Sequence, residues 1–470
     1  MSALITLLVY AAVLVGIGLW TSQKAKSESS FILGERGLGP WVAGLAYAAS
    51  SSSAWVLLGF SGFVYAVGPS ALWMVPGILA GYAVVWLWAG RVLQASSRDR
   101  GHLTLTDFIV ETASPETRTL IRVLISLLIA FCFSYYVSSQ FLGAGLAFED
   151  LFNLPTVYGV LLGAGIILAY TFFGGFLAVS LVDTLQGVLM AIVAVILPIA
   201  AFMEAGGISG IASALNDAPA AYLDTFGGRS GMLAAGFVVG LFATGFGALG
   251  QPHLISWIMA SRDSSARVTG AGVAIGWGAL VYVGMAVLGL SARAIFGDGA
   301  PAEGVFFRLA SDLLPSVFAG IVAAATLSAI MSTVDSQLLV AGAAIGHDLG
   351  LAKAFKGNAA FASRLGVLLV CGIAVVITLL LPATIFERTL FAWVALGASL
   401  GPSVVVRVLG LKPSGRALLL SISAGFLASL AFEFFLSSGP GQVWARTLPW
   451  VMAFLPFAAS MLFRKSDAHA

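Results

Sequence analysis

A run of polar side chains at residues 328–336 is the part of this sequence best suited to chemistry. On a helix, offsets of three and four place Ala329, Ser332, Thr333 and Ser336 on one face, with Asp335 three residues past Ser332. This face therefore carries three hydroxyls and a carboxylate. Hydroxyls, carbonyls and a carboxylate are hard oxygen ligands, which suit a small cation without redox chemistry. Alternatively, the hydroxyls only tighten helix packing. Asp335 argues against that alternative, because a carboxylate in a membrane helix costs roughly 2.5 to 3.5 kcal/mol.

Composition places this run inside a membrane. Of the 470 residues, 59% are hydrophobic and 9% are charged, against roughly 25% charged in a soluble domain. We therefore predict an all-α polytopic membrane protein in which residues 1–470 form a single transmembrane domain. Cys132 and Cys371 are far apart in apolar runs, which supports neither a disulfide framework nor a metal cluster. Because the sequence lacks P-loop, dinucleotide and metalloenzyme motifs, we expect no enzymatic activity.

The apolar runs predict thirteen membrane spans in the cell membrane. Their approximate bounds are 3–21, 40–67, 70–95, 119–148, 157–173, 177–203, 232–258, 267–292, 316–345, 364–382, 389–410, 417–437 and 446–463. With the N-terminus outside, the basic residues left on the outer side are only five of the 23, namely Arg229, Arg293, Arg308, Arg388 and Arg446. The positive-inside rule therefore favours an outer N-terminus and a cytoplasmic C-terminus.

Two of these spans contain helix-breaking sequences. In the second span, residues 48–54 include four consecutive serines, which offer the backbone alternative hydrogen bonds. In the seventh span, residues 244–252 contain three glycines before a proline. Two interrupted helices five spans apart favour a transporter built from inverted repeats, with its site near the midplane. The sixth span carries Asp183, which lies either inside the membrane or in water at the inner interface.

Several short stretches together form a recognisable pattern. They are FILGERGLGP at 31–40, LTLTDF at 103–108, GGFLAVS at 174–180 leading to Asp183, GQPH at 250–253, MST at 331–333 and QLL at 337–339. On these stretches the sequence resembles the sodium/solute symporter family, and most closely its sodium/proline symporter branch. The resemblance implies a LeuT-like core of five plus five helices, with inverted repeats at approximately 40–203 and 232–410.

The resemblance also implies sodium as the coupling ion, bound between the second and ninth spans. The matching ligands are the carbonyls of Ala49, Ser52 and Ala329 and the hydroxyls of Ser332 and Thr333. Some members of the family have a second cation site, and the matching positions here are Asp183, Ser332, Asp335 and Ser336.

For the solute, the resemblance points to Trp55 and Tyr136, with Tyr135 as the alternative if the register slips. In the seventh span the candidate positions are Thr244, Ala248 and Pro252, and the first two replace aromatic residues of the proline branch. Their smaller side chains leave room for a bulkier solute, or for one held differently.

These features lead us to expect sodium-coupled import of a small organic solute by alternating access, with proline or a related amino acid as the best guess. Ser51 stands where the proline branch has an aspartate, while Asp183 and Asp335 remain. Proton-coupled or uncoupled transport is therefore one alternative, and a transporter-like solute sensor is another. The expected partners are the solute, the sodium ion and the lipid bilayer, with no nucleic acid; the oligomeric state stays open.

Overall fold

The structure is a computed structural model that describes residues 9–10, 12–14, 16–18, 20–21, 27–216, 218–355, 358–381, 384–436 and 443–466. Within these ranges the chain is almost entirely helical, and the extended pairing is one isolated bridge between Leu38 and Ser261. The prediction of an all-α protein is confirmed.

Along the chain, the α-helices fall into two groups, before and after the loop near residue 220. Those before it are α1 (Glu28–Leu33), α2 (Pro40–Ala54), α3 (Ser61–Val67), α4 (Met74–Ala83), α5 (Gly90–Arg100), α6 (Leu105–Val110), α7 (Pro115–Phe152), α8 (Thr156–Glu204) and α9 (Gly207–Leu215). Those from the loop onward are α10 (Ala220–Leu223), α11 (Gly231–Ala243), α12 (Pro252–Met259), α13 (Ser264–Phe296), α14 (Val305–Leu313), α15 (Ser316–Ala343), α16 (Ala359–Leu380), α17 (Ile385–Val408), α18 (Gly415–Phe435) and α19 (Leu448–Ser466).

Shorter turns continue or connect these helices. The π-helical segments are Trp55–Phe60, Val84–Ala89 and Ala344–Asp348. The 3₁₀ segments are Gly34–Arg36, Gly68–Trp73, Thr244–Gly250, Ala302–Gly304 and Leu351–Phe355.

Both predicted helix breaks are present. In α2 the backbone leaves the helical region at Ser53, with φ 19° and ψ −178°. In the seventh span α11 gives way to the 3₁₀ segment Thr244–Gly250, and Gln251 is extended before α12 begins at Pro252. A further kink at Gly175, with φ 61°, divides α8 where the sequence predicts the fifth and sixth spans to meet. Glycine is suited to that position because it adopts positive φ without steric cost.

The described part of the chain contains nine helical stretches long and apolar enough to cross a membrane. They are Pro40–Arg100, Pro115–Glu149, Gly175–Glu204, Gly231–Gly250, Ser264–Phe296, Gly320–Asp348, Ala360–Leu380, Ile385–Val408 and Gly415–Phe435. The first of them includes the predicted spans 40–67 and 70–95. Two shorter apolar helices, Thr156–Ala169 and Leu448–Leu462, correspond to predicted spans 157–173 and 446–463. The predicted span 3–21 lies in large part outside the described residues, so the total of thirteen stays a prediction.

Burial separates a central pair of spans from the helices around it. The most apolar windows of Gly320–Asp348 and Ile385–Val408 are 94% and 89% buried, whereas that of Gly415–Phe435 is 28% buried. On α18, Leu420, Leu427 and Phe434 are exposed and follow one another at seven-residue spacing, so they form one apolar stripe. Such a stripe suits contact with lipid. The polar run 328–336 lies in α15, which packs against α2, α7 and α8 at the centre of the protein.

Glycine permits a close crossing between α4 and the broken seventh span. A Cβ atom added at Gly245 would lie 1.9 Å from the carbonyl oxygen of Gly77, and one added at Gly81 would lie 2.1 Å from that of Gly245. Because these neighbours are backbone atoms, a side chain could be accommodated only by moving a helix.

We expect Gly245→Ala to destabilise the protein by at least roughly 1–3 kcal/mol, the usual cost of overpacking. The measurement is the midpoint of thermal unfolding in detergent, followed by size-exclusion chromatography. Gly276→Ala is the matched control, because nothing lies within 4 Å of a Cβ atom at that position. Equal midpoints for the two variants would contradict the close crossing.

Candidate functional site

The hydroxyl groups of α15 meet the backbone of α2 directly before its break. Ser332 Oγ donates to the carbonyl of Ala49 at 3.3 Å, and Thr333 Oγ1 donates to the carbonyl of Ser50 at 2.8 Å. Both hydroxyls also lie 3.2–3.3 Å from the carbonyl of Ala329. All five residues are fully buried. The result is a compact group of neutral oxygen atoms, a donor set that suits a small hard cation.

Four of the five predicted sodium ligands, Ala49, Ala329, Ser332 and Thr333, are brought together in this group. The fifth, Ser52, is buried on the same stretch of α2. The Thr333 hydroxyl contacts the carbonyl of Ser50, two residues before Ser52. The role of all five as ligands stays a prediction.

The break in α2 frees backbone groups that a side chain from α7 and a local hydroxyl satisfy. The amide of Ala54 donates to Gln140 Oε1 at 2.9 Å, and the amide of Trp55 donates to Ser53 Oγ at 3.1 Å. The side chain of Gln140 is held in turn by a hydrogen bond that its Nε2 donates to Ser139 Oγ at 3.0 Å. Irregular backbone at membrane depth requires such partners, because lipid offers none.

Two acidic side chains lie beside this group of oxygen atoms, which we call the oxygen cluster. Asp183 and Asp335 are fully buried and close enough for their side chains to interact directly. The amide of Ser336 donates to Asp335 Oδ1 at 2.6 Å, and Ser336 Oγ lies 2.6 Å from Ser50 Oγ. Asp183 is buried in the protein, which does not fit the alternative placement in water at the inner interface, and its position within the membrane stays a prediction.

A small cavity adjoins the broken helices. It is lined by Ser51, Trp55, Ile78, Tyr82, Tyr136, Thr244, Tyr282, Thr389, Leu390 and Trp393. Its volume is about 10 Å³, room for about one water molecule. Three of the predicted solute residues, Trp55, Tyr136 and Thr244, belong to this lining.

The other three predicted solute residues lie elsewhere. Tyr135 lines a larger vestibule of about 660 Å³ instead of the cavity, so the cavity lining contains Tyr136 and not its neighbour. Ala248 and Pro252 are buried but are not among the residues that line either space. Leu390 lines both spaces, and Phe386 in the vestibule stacks on Trp55 with ring centroids 5.7 Å apart.

Trp393 of α17 narrows the space that small residues in the seventh span were expected to leave. Its indole N–H donates to the carbonyl of Thr244 at 2.8 Å. The indole nitrogen would lie 2.2 Å from a Cβ atom added at Gly247. The expected room for a bulkier solute is therefore reduced by a ring that comes from a distant part of the chain.

Several residues of the site carried no sequence signal of their own. Tyr82, Tyr282, Thr389 and Trp393 join the lining only because α4, α13 and α17 meet there. Tyr82 also explains the position of Ser51, since the two hydroxyls are hydrogen-bonded to each other. Gln140 was detectable in principle, because an amide side chain within an apolar span needs a polar partner.

Broken helices that cross at the centre of the protein, next to an oxygen cluster and a cavity, define a secondary membrane transporter. Comparison with known proteins agrees with this class. A solved Na⁺-coupled sialic acid symporter has the same fold, with a TM-score of 0.81 over 97% of this chain and 96% of that chain at 14% sequence identity. The fold is the LeuT-like inverted-repeat arrangement.

The sodium:solute symporter family model matches residues 31–413, and the chain belongs to this family. It is a sodium-coupled solute symporter that crosses the membrane several times. The sodium/proline symporter of Escherichia coli is 30% identical over 99% of this chain and 96% of its own length. The high-affinity proline transporter PutP of Bacillus subtilis is 31% identical over 83% of each chain.

We expect Gln140→Leu to leave the Ala54 amide without a partner, at a cost of roughly 1–3 kcal/mol. The variant should unfold at a lower temperature, and sodium should stabilise it less than it stabilises the unmodified protein. Thermal unfolding with sodium and with potassium measures both effects. An unchanged midpoint and an unchanged sodium effect would show that the break does not depend on Gln140.

Proposed function

We propose that this protein uses the sodium gradient to import proline or a closely related amino acid. The observation that carries the proposal is that one broken segment of α2 contributes both to the oxygen cluster and to the cavity. Ala49 and Ser50 present carbonyls to the hydroxyls of α15, while Ser51, next in sequence, lines the cavity. An ion bound to the carbonyls of Ala49 and Ser52, which lie on either side of Ser51 in sequence, would therefore fix the backbone that shapes the solute cavity.

Sodium is the ion that best suits the oxygen cluster. We propose the carbonyls of Ala49, Ser52 and Ala329 and the hydroxyls of Ser332 and Thr333 as its ligands. Bound there, the ion would join α15 to α2 directly before the break at Ser53. Its driving energy would include about 2.3 kcal/mol per charge for each 100 mV of membrane potential. By linkage, sodium must raise solute affinity by the same factor that the solute raises sodium affinity.

The cavity lining favours a solute without net charge. The residues that line it offer hydroxyls and aromatic rings, and they include neither an acidic nor a basic side chain. A fixed charge on the solute would consequently lack a counter-charge from the protein. The chemistry of these walls suits a zwitterion with a compact apolar ring, such as proline, but the space of about 10 Å³ would have to widen to admit it. The relatives from E. coli and B. subtilis carry proline in their names.

We propose a second cation site at Asp183, Ser332, Asp335 and Ser336. Two buried carboxylates in direct interaction need positive charge between them, because like charges in a low-dielectric interior repel strongly. A second sodium ion or a proton would supply that charge. Proton coupling is therefore the second candidate function, and it rests on this pair.

The predicted orientation, with the N-terminus outside and the C-terminus in the cytoplasm, sets which membrane face each opening meets, and the direction of net transport would follow from the inward sodium gradient. The vestibule that leads to the cavity lies beside Arg229 and Arg446, two of the basic residues assigned to the outer side. The repeats 40–203 and 232–410 would move relative to each other during alternating access, around the two broken helices.

Uptake into proteoliposomes tests the proposed function. We expect an imposed inward sodium gradient to drive accumulation of labelled proline, and replacement of sodium by potassium to abolish it. Unlabelled zwitterionic amino acids should compete better than organic acids or sugars. Uptake that follows a pH gradient and ignores sodium would instead favour proton coupling. Solute binding without flux would favour a sensor.

Ser332→Ala and Thr333→Ala should each raise the sodium concentration for half-maximal uptake by about tenfold, which corresponds to about 1.4 kcal/mol of lost ion binding. Thr326→Ala is the matched control on the same helix, since among the described residues its buried hydroxyl donates to the carbonyl of Val322 one turn earlier. Unchanged sodium dependence in both site variants would remove the proposed sodium site.

A further inference from the structure

A second group of polar side chains lies at the membrane face predicted to be cytoplasmic. His347 and Asp348 end the π-helical segment that follows α15, and Asp107 belongs to α6. Each residue offers one ligand atom, and the three atoms lie within 4.8 Å of one another. The proposed transport mechanism makes no use of these residues.

The imidazole of His347 is oriented as in many metal sites. Its Nδ1 lies 2.8 Å from Glu28 Oε1, and its Nε2 lies 3.2 Å from Asp107 Oδ2. Metal-binding histidines commonly engage a carboxylate with one ring nitrogen and the metal with the other. Glu28 therefore leaves Nε2 as the nitrogen that faces the two aspartates.

Asp348 supplies an independent indication of a missing cation. Its side chain is 1% exposed. Its Oδ1 accepts a hydrogen bond from Thr104 Oγ1 at 3.0 Å and lies 3.5 Å from Arg122 Nη1. Its Oδ2 is buried without a hydrogen-bond partner of good geometry among the described residues, and the hydroxyl of Thr106, which is also buried and unpaired, is a neighbouring donor. A buried carboxylate oxygen without a partner is costly, so this atom needs a donor or an ion.

The net charge of this group of side chains also favours a bound cation. Glu28, Asp107 and Asp348 contribute three negative charges, and Arg122, 2.6 Å from Asp107 Oδ1, contributes one positive charge. With His347 protonated between the carboxylates of Glu28 and Asp107, these groups carry one uncompensated negative charge, and with His347 neutral they carry two. A divalent cation would balance them completely, whereas a proton on His347 would balance one.

We propose that His347 Nε2 and one carboxylate oxygen each from Asp107 and Asp348 form a binding site for a divalent transition-metal ion. One imidazole and two carboxylates suit ions such as Zn²⁺, and they are less suited to Ca²⁺ or Mg²⁺, which prefer oxygen alone. Arg122 and Glu28 would hold the ligands from outside. The ion would connect α6 to the π-helical segment that follows α15, and Glu28 would add α1 through its contact with His347. These three segments are far apart in sequence.

Zinc binding by the purified full-length protein tests this site, with an affinity tag that contains no histidine. We expect titration against a fluorescent zinc chelator to give one tight site per chain. His347→Gln and Asp348→Asn should each weaken it at least tenfold. His102→Gln is the matched control, because His102 lies on the same face but bonds to Ser96 Oγ outside the cluster. It should bind zinc like the unmodified protein.

Equal zinc affinity in His347→Gln and the unmodified protein, or no binding at micromolar zinc, would overturn the proposal. X-ray absorption of the zinc-loaded unmodified protein provides a readout that needs no variant. It should give one imidazole together with oxygen ligands at about 2.0–2.2 Å. Oxygen ligands alone would contradict the site. Neither measurement depends on the identity of the transported solute.

Discussion

The need to satisfy backbone hydrogen bonds inside the membrane is the constraint on which the centre of this protein depends. A helix that leaves its regular path at Ser53 frees amides and carbonyls in a region where lipid cannot pair with them. Gln140 and the Ser53 hydroxyl take the amides on one side of the break. Ser332 and Thr333 take the carbonyls on the other. The break is therefore maintained by tertiary contacts.

These contacts also give the break its proposed use. The carbonyl of Ala49 can accept from the Ser332 hydroxyl or bind a cation, and either partner holds α2 against α15. Since Ser51 and Trp55 of the same segment line the cavity, the position of the backbone sets the shape of the cavity. Coupling between ion and solute then requires no long pathway, because the two proposed sites share consecutive residues.

Close packing around the break limits what the cavity can hold. Glycines at 77, 81 and 245 let α4 and the seventh span approach backbone to backbone. Gly247 lets the Trp393 ring pack against the 3₁₀ segment, where its indole holds the carbonyl of Thr244. Small residues in the seventh span thus admit a ring from α17 instead of leaving open space. Volume at such a site is decided by all the helices that meet there.

The sequence by itself determined the helical membrane class, the two broken spans and the polar side of α15, because composition and periodicity are local properties of the chain. It also indicated Trp55, Tyr136 and Thr244 through their resemblance to a known family. Only the tertiary structure decided that Tyr82, Tyr282, Thr389 and Trp393 complete the cavity, and that Asp183 and Asp335 meet. It likewise joined His347 to Asp107 and Glu28. Contacts between residues hundreds of positions apart depend on how helices pack, and no local pattern records that packing.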